Sequence, residues 1–300
     1  MAMGAGFLTA VRGKEGRLGL TLAAPILIVM GLLVFLPLLI TVVDSFFRVE
    51  PMKSGTPFVG LRNYAALLAD AGVQRAWVNT FVYVAIAVIV ETGFGLGAAL
   101  ILNRLTRGRR WLLAIIVLPW CLPPVVNAII WGWIYNPSFG LLNGVLFKLG
   151  LIDGYQVWFN DRLTGLFLIS VVHAWRMMPL TAIILLAARQ SVPDTLYEAA
   201  RLDGASPWRQ FREITLPLIA GGLAIALSQS TVFALNLFDE AWILNGNSMD
   251  TRPAIVQVYQ LAFNNLKFSM GMALSILVMI VSLVISAVYV MRVYRETRFE

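Results

Sequence analysis

Residues 197–217 read YEAARLDGASPWRQFREITLP, and on either side of them the chain turns to almost pure hydrocarbon. A loop that only joins two apolar runs has no need of paired alanines, a charged face, one glycine and a Ser-Pro-Trp restart. Its helical signals are local. Ser191 and Asp194 have capping-box spacing, and Leu196, Ala199, Ala200 and Leu202 follow at helical intervals. Gly204 suits the left-handed position just past a helix end. Ser206 then caps a second helix with Pro207 at its first position, and Trp208, Phe211 and Ile214 form its apolar stripe. Pro217 marks where the next hydrophobic run begins. The expectation is helix, glycine bend, helix, held as a rigid knob at a membrane surface.

The rest of the chain supports that setting. Of 300 residues, 59% are hydrophobic and 13% charged, against roughly 45–50% and about 25% in soluble domains. Mean hydropathy is +0.79. Six runs reach the length of about 20 residues that a bilayer core requires: about Leu18–Val43, Trp77–Leu102, Trp111–Tyr135, Thr164–Ala188, Ile214–Phe238 and Met270–Met291. The first is too long for a signal-peptide core and lacks a small-residue cleavage site, so it is retained as a span. The predicted fold is all-α and polytopic, with six transmembrane helices. A segment 1–17 precedes a six-helix domain 18–291 containing the loop 191–217, and a tail 292–300 follows. Neither an internal repeat nor a low-complexity tract is evident.

Composition also excludes several chemistries. One cysteine, Cys121, forbids an intrachain disulfide, and one histidine, His173, forbids paired-histidine metal binding. The formal charge of +7 lies beside the spans and reads as topology, not as a nucleic-acid surface. Fourteen lysines and arginines fall in the amino-terminal segment, the second and fourth loops and the tail, against eight in the first, third and fifth loops. The positive-inside rule therefore places both termini and the loop 191–217 in the cytoplasm of a cell membrane.

Glu198-Ala199-Ala200, three residues, Gly204, nine residues and Ile214-Thr215-Leu216-Pro217 together resemble the EAA signature of ABC-importer permeases. The wider text resembles the carbohydrate-uptake branch, with its maltose-type and glycerol-3-phosphate-type permeases. It includes WGWIYNPSFGLLN after the third span, AWRMMPLTAIILLA in the fourth and LNLFDEAWILNG leaving the fifth. The resemblance implies a bacterial or archaeal importer in which this loop docks as a coupling helix into a cytosolic ATPase. Glu198 would meet the ATPase surface, Ala199 and Ala200 would keep that face slim, Asp203 would belong to the same contact, and Gly204 would permit the bend. It implies two ATPase subunits, a second homologous permease and an extracytoplasmic solute-binding protein as partners. The chain has no G-x-x-x-x-G-K-[ST] motif to cradle nucleotide phosphates. It is therefore expected to be no enzyme and to bind no cofactor, with ATP and Mg held by the partner ATPases. A surface helix lying on lipid headgroups is the plainer alternative, but lipid anchoring requires neither Gly204 nor the Ile-Thr-Leu-Pro ending.

Polar groups inside the spans carry the remaining expectations. Arg176 and Glu91 lie near mid-depth in the fourth and second spans, about 3 Å apart in depth at 1.5 Å per residue. A lone buried charge costs about 2.5–3.5 kcal/mol on insertion scales. Pairing between them is one reading, and a cavity-facing Arg176 is another. Pro119, Pro123 and Pro124 predict a bend or break in the third span. In the fifth, Gln229, Phe233 and Asn236 recur at i, i+4 and i+7, offering amides for sugar hydroxyls and a ring for an apolar sugar face. Helix–helix glue is the competing reading for the amides. Asp239 also lies on the path outward, and it and Glu240 are expected near the external boundary. His173 is read as a packing residue, and Trp131, Trp133 and Tyr135 as an interfacial aromatic belt. Two transport classes remain: a permease subunit importing a sugar or sugar-like solute at the expense of partner ATP hydrolysis, and an ion-coupled secondary carrier.

Overall fold

The computed structural model describes residues 14–105 and 107–296; residues 1–13 of the predicted amino-terminal segment and residues 297–300 of the tail lie outside the described residues. Among the described residues everything is helix or loop, apart from one isolated antiparallel bridge between Phe47 and Phe58. Lys14–Met30, a π-helical turn Gly31–Phe35 and Leu36–Asp44 run on as one helix, α1. There follow α2 (Arg62–Ala69), α3 (Ala71–Arg104), α4 (Arg109–Val117), α5 (Pro124–Ile134) and α6 (Leu141–Lys148). The second half contains α7 (Arg162–Gln190), α8 (Asp194–Leu202), α9 (Pro207–Gln210), α10 (Ala220–Leu235), α11 (Asp239–Asn245), α12 (Ala254–Tyr259) and α13 (Phe268–Glu296).

Among the described residues four helices are long and apolar enough to cross a membrane: Thr21–Asp44 within α1, then α3, α7 and Phe268–Tyr289 within α13. Two bent pairs pass the same test together, and counting each pair as one span brings the number to six. Arg109–Cys121 meets Pro124–Ile134 at 96°, and Pro207–Leu218 meets Ala220–Leu235 at 71°. The first bend follows from the prolines. A residue preceding proline is driven to extended backbone; Leu122 and Pro123 both precede one and have ψ of 133° and 139°. Pro124 then starts α5, where its missing N–H costs nothing. The second bend falls at Ile219, with φ −93° and ψ 5°. Just before it, the π-helical turn Phe211–Thr215 loosens the helix ahead of Pro217, which lacks the donor for an α-helical bond to the Glu213 carbonyl.

The long helices α3 and α7 form the central pair. A Cβ built on Gly95 would stand 2.8 Å from Thr181 Cγ2, so the missing side chain lets α3 and α7 approach closely. Buried Tyr83, Leu166, Ile169 and Val256 pack toward one end of this pair, and Ala99, Leu102, Leu185, Leu186 and Ala226 toward the other. At the rim, α1 keeps none of its most apolar window buried and exposes Leu22, Leu33 and Leu39.

Candidate functional site

At the Arg104 and Gln190 end of the central pair lies the loop 191–217. Its first helix is not opened by Ser191: the Ser191 hydroxyl donates back to the Ala188 carbonyl at 2.8 Å, and Pro193 occupies the cap position without a side-chain bond. The expected capping box is thus replaced by proline geometry, which pre-sets the turn by fixing φ. At the other end of α8, Gly204 has φ +74°. The Gly204 amide donates to Arg201 O at 3.1 Å and the Ala205 amide to Ala200 O at 2.8 Å, the paired bonds of a Schellman stop. The Ser206 hydroxyl accepts from the Arg209 amide at 3.3 Å and Pro207 opens α9. Helix, left-handed glycine, helix is therefore realised.

Buried side chains fasten this loop to the spans. Tyr197 packs with Val192 and Ile219, and its hydroxyl lies 2.9 Å from Thr215 Oγ1. The Arg189 guanidinium sits 4.1 Å above its ring. The opposite face is bare. Glu198, Ala199, Arg201 and Asp203 are exposed, Leu202 is 89% exposed and Trp208 68%. A cleft of about 920 Å³ opens beside them, lined in part by Arg104, Arg189, Tyr197, Glu198, Arg201 and Trp208.

The other end of the pair is knotted by buried side chains. Asn79 donates to Arg252 O at 3.0 Å and accepts from Arg162 Nη2 at 2.8 Å. The Tyr83 hydroxyl donates to Thr251 O at 2.6 Å, and Thr80 Oγ1 accepts from the Ala254 amide at 2.8 Å. Trp131 and Tyr135 turn inward at this level, meeting Trp175 and Phe159 edge-on, so only Trp133 of the expected aromatic belt faces out.

Between the two ends lies an ionic cluster. Arg176 does not pair with Glu91: its Nε donates to Glu240 Oε1 at 3.1 Å. Glu91 instead accepts from the Ser230 hydroxyl at 2.6 Å and faces His173 Nε2 at 3.5 Å, while His173 Nδ1 faces Glu240 at 3.5 Å. Glu91, His173 and Glu240 are buried, each no more than 1% exposed. Two sequence expectations are corrected here. Glu240 is not at the external boundary: its carboxylate meets Arg176 and His173 at the middle of α7. The mid-depth charges do share one site, but through His173 and Glu240 and not by direct contact. Sequence reasoning missed both residues as site members; the three-residue spacing of His173 and Arg176, which sets them on one face of α7, was the available signal.

The residues of the expected solute face lie on α10, at its end and at the start of α11. Gln229 lies on α10 with neither amide atom hydrogen-bonded, though both are buried. Phe233 is 46% exposed, and Asn236 ends the helix with its amide turned back to Val232 O at 2.8 Å. Asp239 remains partly exposed at the start of α11.

Comparison with known proteins places this geometry. Residues 91–296 match the family described as the inner membrane component of binding-protein-dependent transport systems. The chain is 35% identical to the trehalose/maltose transport system permease protein of Thermococcus litoralis, covering 92% of this chain and 93% of the relative. It is 32% identical to the sulfoquinovosyl glycerol transport system permease protein of Agrobacterium fabrum, over 91% and 89% of the two chains. Its fold matches a chain of the bacterial alginate ABC transporter solved with an alginate pentasaccharide-bound periplasmic protein. The TM-score there is 0.79 at 22% identity, over 92% of this chain and 93% of that one.

Proposed function

The chain belongs to the family of inner membrane components of binding-protein-dependent transport systems, and from that premise we propose that it is one membrane-spanning half of an ATP-driven importer of a sugar or sugar-like solute. Full-length similarity to permeases named for trehalose/maltose and sulfoquinovosyl glycerol transport supports the carbohydrate class. It also favours the importer over an ion-coupled carrier. The solute is delivered by an extracytoplasmic binding protein and crosses by alternating access between this chain and a second, homologous permease. Phe233 and Asn236 offer it an exposed ring and an exposed polar side chain, Gln229 lies on the same helix with its amide buried, and Asp239 stands at the outer end of the path.

The observation that carries the mechanical part is the bare face of the loop 191–217. Its backbone is fixed internally by the stop at Gly204 and the cap at Ser206, yet Leu202 and Trp208 remain among the exposed large apolar side chains. A rigid, amphipathic knob without cover is what a partner subunit needs to grip. We assign that grip to a cytosolic ATPase, with Glu198, Ala199, Ala200, Asp203 and Gly204 at the contact. ATP and Mg are then bound by two such ATPases, and both termini and the loop share the cytoplasmic side. Arginines near the loop, including Arg104, Arg107, Arg109 and Arg110, agree with that side.

Reconstitution into vesicles with the second permease, the ATPases and the binding protein tests the reading. ATP-dependent, vanadate-sensitive sugar uptake is expected, and Glu198→Lys should remove it at normal membrane abundance. Uptake driven by an ion gradient without the ATPases would overturn the proposal.

A further inference from the structure

The cluster around His173 joins four elements: Glu91 from α3, His173 and Arg176 from α7, Ser230 from α10 and Glu240 from α11. With both carboxylates ionised, its charges do not close without the imidazole. Two buried carboxylates face one guanidinium, leaving one negative charge without a partner, and a buried unpaired charge is expensive. The imidazole stands where the missing positive charge is needed, with one ring nitrogen toward each carboxylate at 3.5 Å. Only the protonated ring carries a donor on both nitrogens. A neutral ring would turn a lone pair on one carboxylate. Asp239, the neighbouring ionisable side chain on α11, is partly exposed and so can be balanced by solvent.

The placement of the cluster gives this balance a consequence. Short α11 has seven residues and begins three residues after Asn236. Glu240 is its buried ionic tie to α7, through Arg176 and His173. We propose that His173 is a positioning residue: as an imidazolium bridging Glu91 and Glu240, it completes the charge balance of a lock that holds α11 against α3 and α7. The lock thereby fixes the outer end of the path followed by the solute. The effect on uptake rests on the importer reading above; the charge balance does not.

The test is a substitution series in the assembled complex, read by thermal stability in detergent and by ATP-driven uptake in vesicles. His173→Gln keeps a polar side chain but leaves one negative charge in excess, and uptake should fall about tenfold. Glu240→Gln should be milder, since a neutral imidazole then leaves Glu91 and Arg176 balanced. The double substitution H173Q/E240Q also restores balance, so it should be more stable than H173Q alone and recover at least about threefold of its uptake. A merely steric role for His173 predicts the opposite, a double variant no better than the single. If H173Q fails to accumulate, recovery of membrane abundance in the double variant supports the lock equally. Wild-type stability and uptake in H173Q, or no recovery in the double variant, overturns it. A wild-type complex that lacks ATP-driven uptake would instead refute the importer reading, while the stability series still decides the lock.

Discussion

At one end of the α3–α7 pair, Asn79, Thr80 and Tyr83 hold residues 251–254 through buried side-chain bonds to backbone groups. At the other, the loop 191–217 is internally rigid but joined to the spans chiefly through Tyr197, with its far face bare. The first end is self-sufficient: every buried polar atom in those three bonds meets its partner within this chain, and losing one leaves a desolvated group behind. The second leaves its far face uncovered, and on the function proposed above a partner subunit completes it. On that proposal the difference separates two jobs, holding the bundle together and receiving force, at opposite ends of one helix pair.

Three substitutions probe that separation. The largest effect is expected from Gly204→Pro. Proline cannot adopt φ +74° and would also delete the amide that donates to Arg201, a penalty of about 3 kcal/mol or more concentrated in the knob. ATP-driven uptake should fall about a hundredfold or more while membrane abundance stays near normal. Next comes Asn79→Ala. It strips the Arg252 carbonyl and Arg162 of a partner, costs about 2–3 kcal/mol and should lower the melting temperature of the detergent-solubilised complex. The sugar moved per ATP hydrolysed by surviving protein should be unchanged. The smallest is Tyr197→Phe, which keeps the ring beneath Arg189 and loses only the hydroxyl contact with Thr215. It should cost about 1 kcal/mol and reduce coupling slightly. The contrast breaks if Gly204→Pro melts the complex without uncoupling it, or if Asn79→Ala uncouples without melting.

Much of this architecture was legible because its signals are local. Pro119, Pro123 and Pro124 announced the break in the third crossing, and Gly204, Ser206 and Pro207 announced the bend and restart in the loop. What stayed hidden depended on how helices rotate and fold back on one another. Depth along a span placed Glu91 and Arg176 at one level, but depth carries no information about azimuth, and azimuth gave Arg176 to Glu240. Glu240 itself was misplaced because the helix breaks after Leu235 and restarts at Asp239, which re-aims the side chains that follow, a change that hydropathy does not register. Ser191 failed as a cap for a local reason that was present but outweighed: Pro193 already fixes the turn, leaving the hydroxyl to bond back to Ala188. The Gln229 amide is legible as a polar residue on a buried face, whereas its lack of any partner in the folded chain is a property of three dimensions alone.

The right-angled third crossing bears on how movement travels through the molecule. A straight rod pushed at one tip delivers the same push at the other. Here α4, which starts beside Arg109, meets α5 at 96° across Leu122 and Pro123, and α5 in turn packs on α11. A thrust along α4 therefore reaches α5 sideways and turns it about the joint like an elbow crank. On the proposed alternating-access reading, a small stroke at one membrane face would become a swivel beside the helix that carries Asp239 and Glu240.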